Sequence, residues 1–404
     1  MPPFFQAAAP PAGGGTHVLL IGVNHYTELP AEDGTGGGGN GDRHAPGLKR
    51  LSTSVPSIER LANWFIDGAS GNKGFSSARF PLASLDILLS PGQFTRSDGT
   101  TTAVPEATFR NIRTAAHEWR TRAHGHQENR AMLFFVGHGM EGTDHYLLPS
   151  DAFSDANAPG ENLIKLNTLI TRMGSCRAGI QMFFVDACRS HLGAQLQSQE
   201  EAGEDFCAPF LSPQPSLHPR HVPLYRAALA KGQPALGRTG MHTFFTEGLL
   251  DCFNHHGASD NGGAGAFQVT ADSLRAALDE RMKRMTAEKS LPLNCDCKDM
   301  SQTMPAIPLD LHEIPAADCR VLARVSTVPA EVFPTTFFSI AGNGITQAHP
   351  PTGGPPPPPT LTTWDTDLPP GEYDLSTFSN PGQLIATRRK EFRMPVDHCK
   401  LPVP

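Results

Sequence analysis

The sequence predicts an α/β fold, a mainly parallel sheet covered by helices on both faces, followed by a small all-β domain. Three observations predict it. The runs "HVLLIGV", "SLDILLS", "RAMLFFVG" and "QMFFVDA" are near-continuously apolar and of strand length, as strands buried on both faces must be. Segments with helical spacing of apolar residues alternate with them. Beyond about residue 300 the chain turns to short Val-, Thr- and Phe-rich runs divided by Pro and Gly, which read as β structure.

Taken in order, residues 1–15 form a Gly/Pro/Ala-rich tail with the composition of a disordered segment. A first strand lies in 17–26, and "DGTGGGGNGD" (33–42) is a flexible loop. "SVPSIERLANWFID" (54–67) is helical, with Ser54 as N-cap, Pro56 in the first turn and Ile58, Leu61, Trp64 and Phe65 on one face. A strand at 84–90, a helix over 104–123, a strand in 130–139 and a helix over 164–175 follow. The strand of "QMFFVDACRS" (181–190) comes next, then a long polar loop at 192–221. "PLYR" begins another strand, and 242–254 and 269–285 are amphipathic helices, the second with Thr270 as N-cap. The domain boundaries expected are 16–300 and 315–404, the latter sandwich-like, with the five prolines at 355–359 forming a stiff polyproline-type loop.

A chain of 404 residues fits two or at most three domains. The net charge of −7 and pI near 6.2 speak against a nucleic-acid partner. The basic run "TRRKEFR" reads as a solvated strand edge. The opening residues lack a signal-peptide pattern, and no run approaches the roughly 18 apolar residues of a transmembrane helix. A cytoplasmic protein with no membrane partner is the expectation. Eight cysteines in a chain this long are not a disulfide scaffold, and most are expected reduced.

Two strand ends carry chemistry. "LFFVGHGM" ends at His138 between Gly137 and Gly139, and "FFVDACRS" ends at Cys188. Open α/β sheets place reactive groups at the carboxyl ends of strands. A thiol is a poor nucleophile until deprotonated, and an adjacent imidazole can activate it. Flanking glycines let backbone N–H groups approach a developing oxyanion, and the N–H groups of Gly139 and Cys188 are the candidates.

In the same order, "HVLLIGVNHY", "VGHGM…HYLLPSDA", "VDACRS" and "GQPA…HTFFTEGLL" resemble caspase-like peptidases, the clan of caspases, metacaspases, prokaryotic orthocaspases and related CHAT proteases. The separation of His138 and Cys188 fits the roughly 50 residues of caspases. The resemblance covers about residues 16–290. It implies a caspase-hemoglobinase fold and a cysteine endopeptidase with a His138–Cys188 dyad and no third orienting residue. It also implies a P1 preference. Caspases carry glutamine two residues before the cysteine, whereas metacaspase-like relatives carry an aspartate that lines an acidic S1 pocket, and Asp186 stands there. A carboxylate at a pocket floor favours Arg, then Lys, which fits its charge. Relatives often show an Asn-Asp pair where this chain has Thr53 and Ser54 in "KRLSTSVPS", so the pocket is less acidic, and nearby Arg50 supports the alternative of an acidic P1.

Family members often keep a cleavable segment after the catalytic cysteine. Residues 189–222 are long, polar and proline-containing. They imply a zymogen cut by an upstream protease, with Arg220 and Arg238 as candidate sites. Glu200, Glu201, Glu204 and Asp205 invite comparison with calcium-activated metacaspases, but lack the alternating ligand spacing of a dedicated site. "NCDC" (294–297), with His312 and Cys319 downstream, fits no standard zinc pattern, and no metal site is assigned. Protein substrates follow from the resemblance, as do stress, cell-death and antiviral-defence settings. The competing readings are a catalytically silent interaction protein and a Cys–His acyltransferase or amidase. The presence of both His138 and Cys188, histidine first, favours the peptidase.

Overall fold

The apolar runs become neighbouring strands of one sheet. The computed structural model describes residues 1–9, 11, 13–35, 44–45, 47–191, 219–228, 235–259, 266–301, 303–307, 309–350, 361–380 and 383–403. Their contacts form two units, Met1–Leu250 with Leu291–Leu311, and Asp251–Ser290 with His312–Pro404. In chain order the first fourteen strands are β1 (Phe5–Gln6), β2 (Thr16–Val23), β3 (Leu82–Ser90), β4 (Gln93–Thr95), β5 (Thr101–Ala103), β6 (Arg130–Gly137), β7 (Gly139–Glu141), β8 (His145–Leu147), β9 (Ile164–Lys165), β10 (Ile180–Ala187), β11 (Ser190–His191), β12 (Pro223–Arg226), β13 (Ala266–Thr270) and β14 (Asp296–Asp299). The helices are α1 (Ser54–Ala69), α2 (Phe109–His124), α3 (Leu166–Arg172), α4 (Phe244–Asp251) and α5 (Ala271–Lys289).

The central sheet runs β1-β3-β2-β6-β10-β12-β14. Its five inner strands are parallel, and β1 and β14 close the edges antiparallel. Every residue of β2, β3, β6 and β10 is buried, which is why their sequences do not alternate. On one face Leu19, Leu133, Phe135, Phe183 and Val185 pack with Ile112 and Trp119 of α2 and Leu169 of α3. On the other, Phe134 stacks on Phe184 at 4.3 Å and Phe184 on Tyr225 at 4.8 Å, while Phe65 of α1 meets Phe134 edge-on at 5.9 Å. Successive residues of a strand face opposite sides, so Asp186 lies on the aromatic side, the side of α1.

Several local expectations shift. The tail expected to be disordered contributes an edge strand: Phe5 and Gln6 pair with Leu85 and Ser84, and the Phe4 ring meets Phe94 edge-on at 5.1 Å. Its two aromatic residues supply the apolar surface that its composition otherwise lacks. Ser54 is the first residue of α1 and not its cap. Thr53 takes the cap position without a side-chain hydrogen bond, and Asn24 Oδ1 accepts the N–H groups of Ser54 (2.8 Å) and Val55 (3.2 Å) instead. The helix expected over 164–175 is a short strand β9, helix α3 and a 3₁₀ turn. Thr270 does cap α5, in a capping box with Ser273.

After β15 (Asp310–Pro315), most of which belongs to the second unit, that unit holds β16 (Val321–Val328), β17 (Phe337–Gly342), β18 (Ile345–His349), β19 (Thr363–Leu368), β20 (Gly371–Asn380), β21 (Gln383–Phe392) and β22 (Val396–Pro402). A three-stranded sheet, β19-β16-β22, and a four-stranded sheet, β18-β17-β20-β21, carry most of them. Phe338 and His349 of one sheet meet Trp364 of the other. Helix α5 packs within this unit: the buried Arg284 guanidinium bonds Glu280 on its own helix and the carbonyl of Ala323 on β16. The basic run falls on β21, an exposed edge strand whose Arg389 pairs with Asp374. Among the described residues no helix is long and apolar enough to cross a membrane.

Candidate active site

Strands β6 and β10 pair in register from Arg130↔Ile180 to Gly137↔Ala187. His138 and Cys188 are therefore the next residues beyond the same final rung. The fold brings together the two groups that the sequence singles out.

His138 is buried. Its N–H donates to Tyr26 Oη at 2.7 Å, its carbonyl accepts the Leu148 N–H at 3.1 Å, and its ring lies 5.0 Å from that of Tyr26. Nε2 sits 2.5 Å from the carbonyl oxygen of Lys49. A carbonyl only accepts, so Nε2 carries the proton and Nδ1 the lone pair. Nδ1 has no hydrogen-bond partner among the described residues. Burial lowers the ring's pKa to about 4, against a smaller opposing effect of the Lys49 carbonyl. The imidazole is thus neutral at neutral pH, with a buried basic nitrogen that has no partner among the described residues.

Cys188 is partly exposed. Its Sγ accepts the N–H of Ala235 at 3.1 Å. Burial pushes the thiol above its ordinary value, and the Asp186 carboxyl adds to this. The sulfur rests as a thiol and needs a base. The Cys188 carbonyl accepts Nε2–H of His145 at 3.1 Å. Gly139 passes beside this bond: a Cβ there would lie 2.5 Å from the Cys188 oxygen and 2.7 Å from His145 Nε2, so only glycine fits. Gly139 faces Leu147 across β7 and β8, and Leu148 N–H already donates to His138 O. This is the non-hydrogen-bonded type of pair, which leaves the Gly139 N–H outside that ladder.

Asp186 is buried, and Oδ2 accepts the hydroxyls of Thr243 and Thr246, the latter at 3.3 Å. Oδ1 has no hydrogen-bond partner among the described residues. Burial raises its pKa to about 7, opposed by the two hydroxyls. Thr243 N–H donates to Ser57 Oγ on α1 at 2.9 Å, and the Thr53 methyl crowds Gly237. Ser54 has a buried hydroxyl without a partner among the described residues. Arg50 Nε bonds the carbonyls of Tyr26 (3.2 Å) and Leu29 (3.1 Å), which shapes the loop that presents Lys49.

The remaining sites scatter. Arg220 is tied to Thr303 O by its backbone and to Gly174 O by its guanidinium at 2.7 Å. Arg238 is exposed, with its guanidinium 5.6 Å from the Phe244 ring. The acidic cluster Glu200, Glu201, Glu204 and Asp205 lies outside the described residues, as does most of the loop after the cysteine. Cys295 and Cys297 stand with sulfurs 3.7 Å apart, and among the described residues no group of three His, Cys, Asp or Glu is arranged to hold a metal. Sequence reading missed the Lys49 carbonyl, Tyr26, His145 and the two threonines. Only the threonines left a trace, spaced i, i+3 where α4 begins.

Parts of this chain are similar to known proteins. The uncharacterized protein y4kE of Sinorhizobium fredii (strain NBRC 101917 / NGR234) is 25% identical over 239 residues, 56% of this chain and 68% of that protein. A probable protease of a Desulfuromonadales bacterium is 26% identical over 179 residues, 43% of this chain, and the match spans 18% of that longer protein. The crystal structure of protein GSU0716 from Geobacter sulfurreducens aligns with a TM-score of 0.39 at 12% identity, over 74% of this chain and 97% of that one. The family model Peptidase_C14, the caspase domain, matches residues 16–307. That span is well over half of the chain and contains both His138 and Cys188, and the chain belongs to the caspase-domain peptidase family.

Proposed function

We propose that the protein is a cysteine endopeptidase in which Cys188 is the nucleophile and His138 the general base. The observation that supports this most is the shared position of the two residues, one step beyond the Gly137↔Ala187 rung, with His138 Nδ1 unpartnered among the described residues. As Sγ attacks the scissile carbonyl carbon, its proton passes to Nδ1. The Lys49 carbonyl, already bonded to Nε2–H, stabilises the imidazolium. The N–H groups of Gly139 and Cys188 receive the oxyanion. Nδ1–H then protonates the departing amine. Water, deprotonated by the same nitrogen, cleaves the thioester.

The substrate class follows from Asp186. Its orphaned Oδ1 would bind an arginine guanidinium, with lysine second, and Thr243 and Thr246 would hold the carboxyl in place. Arg50, whose Nε is engaged by two carbonyls, offers less support for an acidic P1. The chain acts as a zymogen, cut by an upstream protease in the loop after Cys188, and Arg238 is the more exposed of the two candidate sites. A cytoplasmic setting and a role in a defence cascade belong to the same reading.

The test is a fluorogenic panel with Arg, Lys, Asp or Leu at P1, run on wild type and Cys188→Ala, before and after limited trypsin nicking. Cys188-dependent turnover of the Arg peptide is expected, rising after nicking. Preference for Asp overturns the pocket, and full activity of an intact chain overturns the zymogen. No Cys188-dependent turnover in either state favours an interaction protein.

A further inference from the structure

The second buried histidine beside the nucleophile is unexplained by the dyad. His145 is 1% exposed and sits on β8 opposite Glu141 of β7. Its backbone is fixed: the N–H donates to Asp144 Oδ1 at 2.6 Å, and the same carboxyl group accepts Asn167 N–H (2.9 Å) and Thr168 N–H (3.3 Å) at the start of α3. Its ring makes one hydrogen bond, from Nε2 to the Cys188 carbonyl at 3.1 Å, while Nδ1 has no partner among the described residues. A buried polar ring costs stability where its atoms are unpaired. A leucine would fill this place at less cost, so the one bond that His145 makes is what distinguishes it from an apolar residue. Gly139 clears the space through which that bond passes.

The residue after the cysteine is held from the other side. Arg189 forms a two-pronged pair with Glu141, at 3.0 and 2.8 Å, and Ser190 pairs in parallel with Met140. The strand before Cys188 is fixed in the central sheet. Between these two anchors the free variable is the orientation of the peptide that follows Cys188, and His145 holds the carbonyl of that peptide.

We infer that His145 is a positioning residue: its Nε2–H clamps the Cys188 carbonyl and so fixes the peptide that follows Cys188 and, through it, the backbone from which the thiol is presented to the substrate. This rests on the reading of Cys188 as nucleophile. Misplacing a reacting group by about 1 Å can cost about 100-fold in rate. The clamp touches no substrate, so it acts on kcat and leaves KM alone.

The test compares wild type with His145→Leu, His145→Gln and His145→Asn in the full chain. Glutamine can place an amide N–H near the position of Nε2, whereas asparagine reaches only that of Nδ1. The readouts are kcat and KM on the basic-P1 peptide, the rate of iodoacetamide labelling at the Cys188 peptide by mass spectrometry, and the melting temperature. Expected are a fall in kcat of about 10- to 100-fold in His145→Leu with KM within about twofold, substantial recovery in His145→Gln, and none in His145→Asn. Wild-type kcat and labelling in a folded His145→Leu overturns the inference, and so does equal impairment of the Gln and Asn variants. Should His145→Leu fail to fold, the Gln and Asn pair decides. A wild type that hydrolyses no peptide of the panel, intact or trypsin-nicked, defeats the peptidase reading instead, and the labelling rates then decide His145: slowed labelling restored by Gln upholds the clamp, and equal rates overturn it.

Discussion

The carbonyl oxygen of Lys49 lies 2.5 Å from Nε2 of His138, across 89 residues of chain. A main-chain atom thereby settles which nitrogen of the ring is basic. Among the described residues no side chain takes part in this bond, so under the proposed mechanism the pair has no third side chain to orient the ring.

The pH dependence of kcat/KM on a peptide with Leu at P1 should show this. Burial holds the His138 pKa at about 4, so the proposed base stays neutral far below the ordinary histidine value near 6.5. The acid limb of kcat/KM, which reports the free enzyme, should stay level through pH 6 and fall near pH 4, measured from pH 3.5 to 9. A fall centred near 6.5 would contradict the geometry. His138→Gln should lower kcat by about 10²- to 10⁴-fold.

Asp186 should write a different pH signature, on KM. With a pKa raised to about 7, its carboxyl is largely protonated at pH 6 and largely charged at pH 8. KM for an Arg-P1 peptide should drop as pH rises through 7. Asp186→Asn should raise KM and make it insensitive to pH over that range. A wild-type KM that is level between pH 6 and 8 would separate Asp186 from the pocket.

The same carboxyl affects stability, with a definite sign. Its folded pKa lies above its unfolded value of 3.8, so the fold holds an extra proton between 3.8 and about 7. That stabilising contribution is full below 3.8 and is lost as pH rises through 7. Asparagine cannot ionise. Asp186→Asn should therefore gain on wild type by about 2 kcal/mol between pH 5.5 and 8.5, read by chemical denaturation at both pH values.

Asn24 should behave as a helix cap placed 30 residues before its helix, since its Oδ1 takes the first two N–H groups of α1. Asn24→Ala should cost about 1 kcal/mol, visible as a lower denaturation midpoint. Asn24→Asp, which keeps the acceptor, should retain most of that stability.

The juxtaposition of His138 and Cys188 was legible because each follows an apolar strand, and strands of that kind become neighbours in a parallel sheet. The partners of the pair were not. Lys49 contributes a carbonyl, which every residue possesses, so its side chain says nothing of its role. Asn24 caps from a distance that local capping rules do not scan, and for this reason Ser54 read as the cap. His145 lies in a three-residue strand, too short for a periodic signal. Phe4 and Phe5 gave the only hint that the opening segment docks, and its glycines and prolines outweighed them. Asp186 was legible in position but not in state, because its protonation depends on burial by residues more than 50 positions away.

The register of β6 with β10 has a consequence for how activity should fail. His138 and Cys188 each follow the final rung of one ladder, so the separation of their backbones is set by the spacing of two adjacent strands, about 4.8 Å. Loosening of outer loops leaves that spacing intact. Only rupture of the innermost strands changes it, and those are drawn from the slowest-opening part of a fold. Loss of that backbone spacing on heating or in denaturant should therefore coincide with global unfolding and track the slowest amide hydrogens of β6 and β10. An activity lost before those amides exchange would point to the Lys49 loop or the His145 clamp, which hold the side chains rather than the strands.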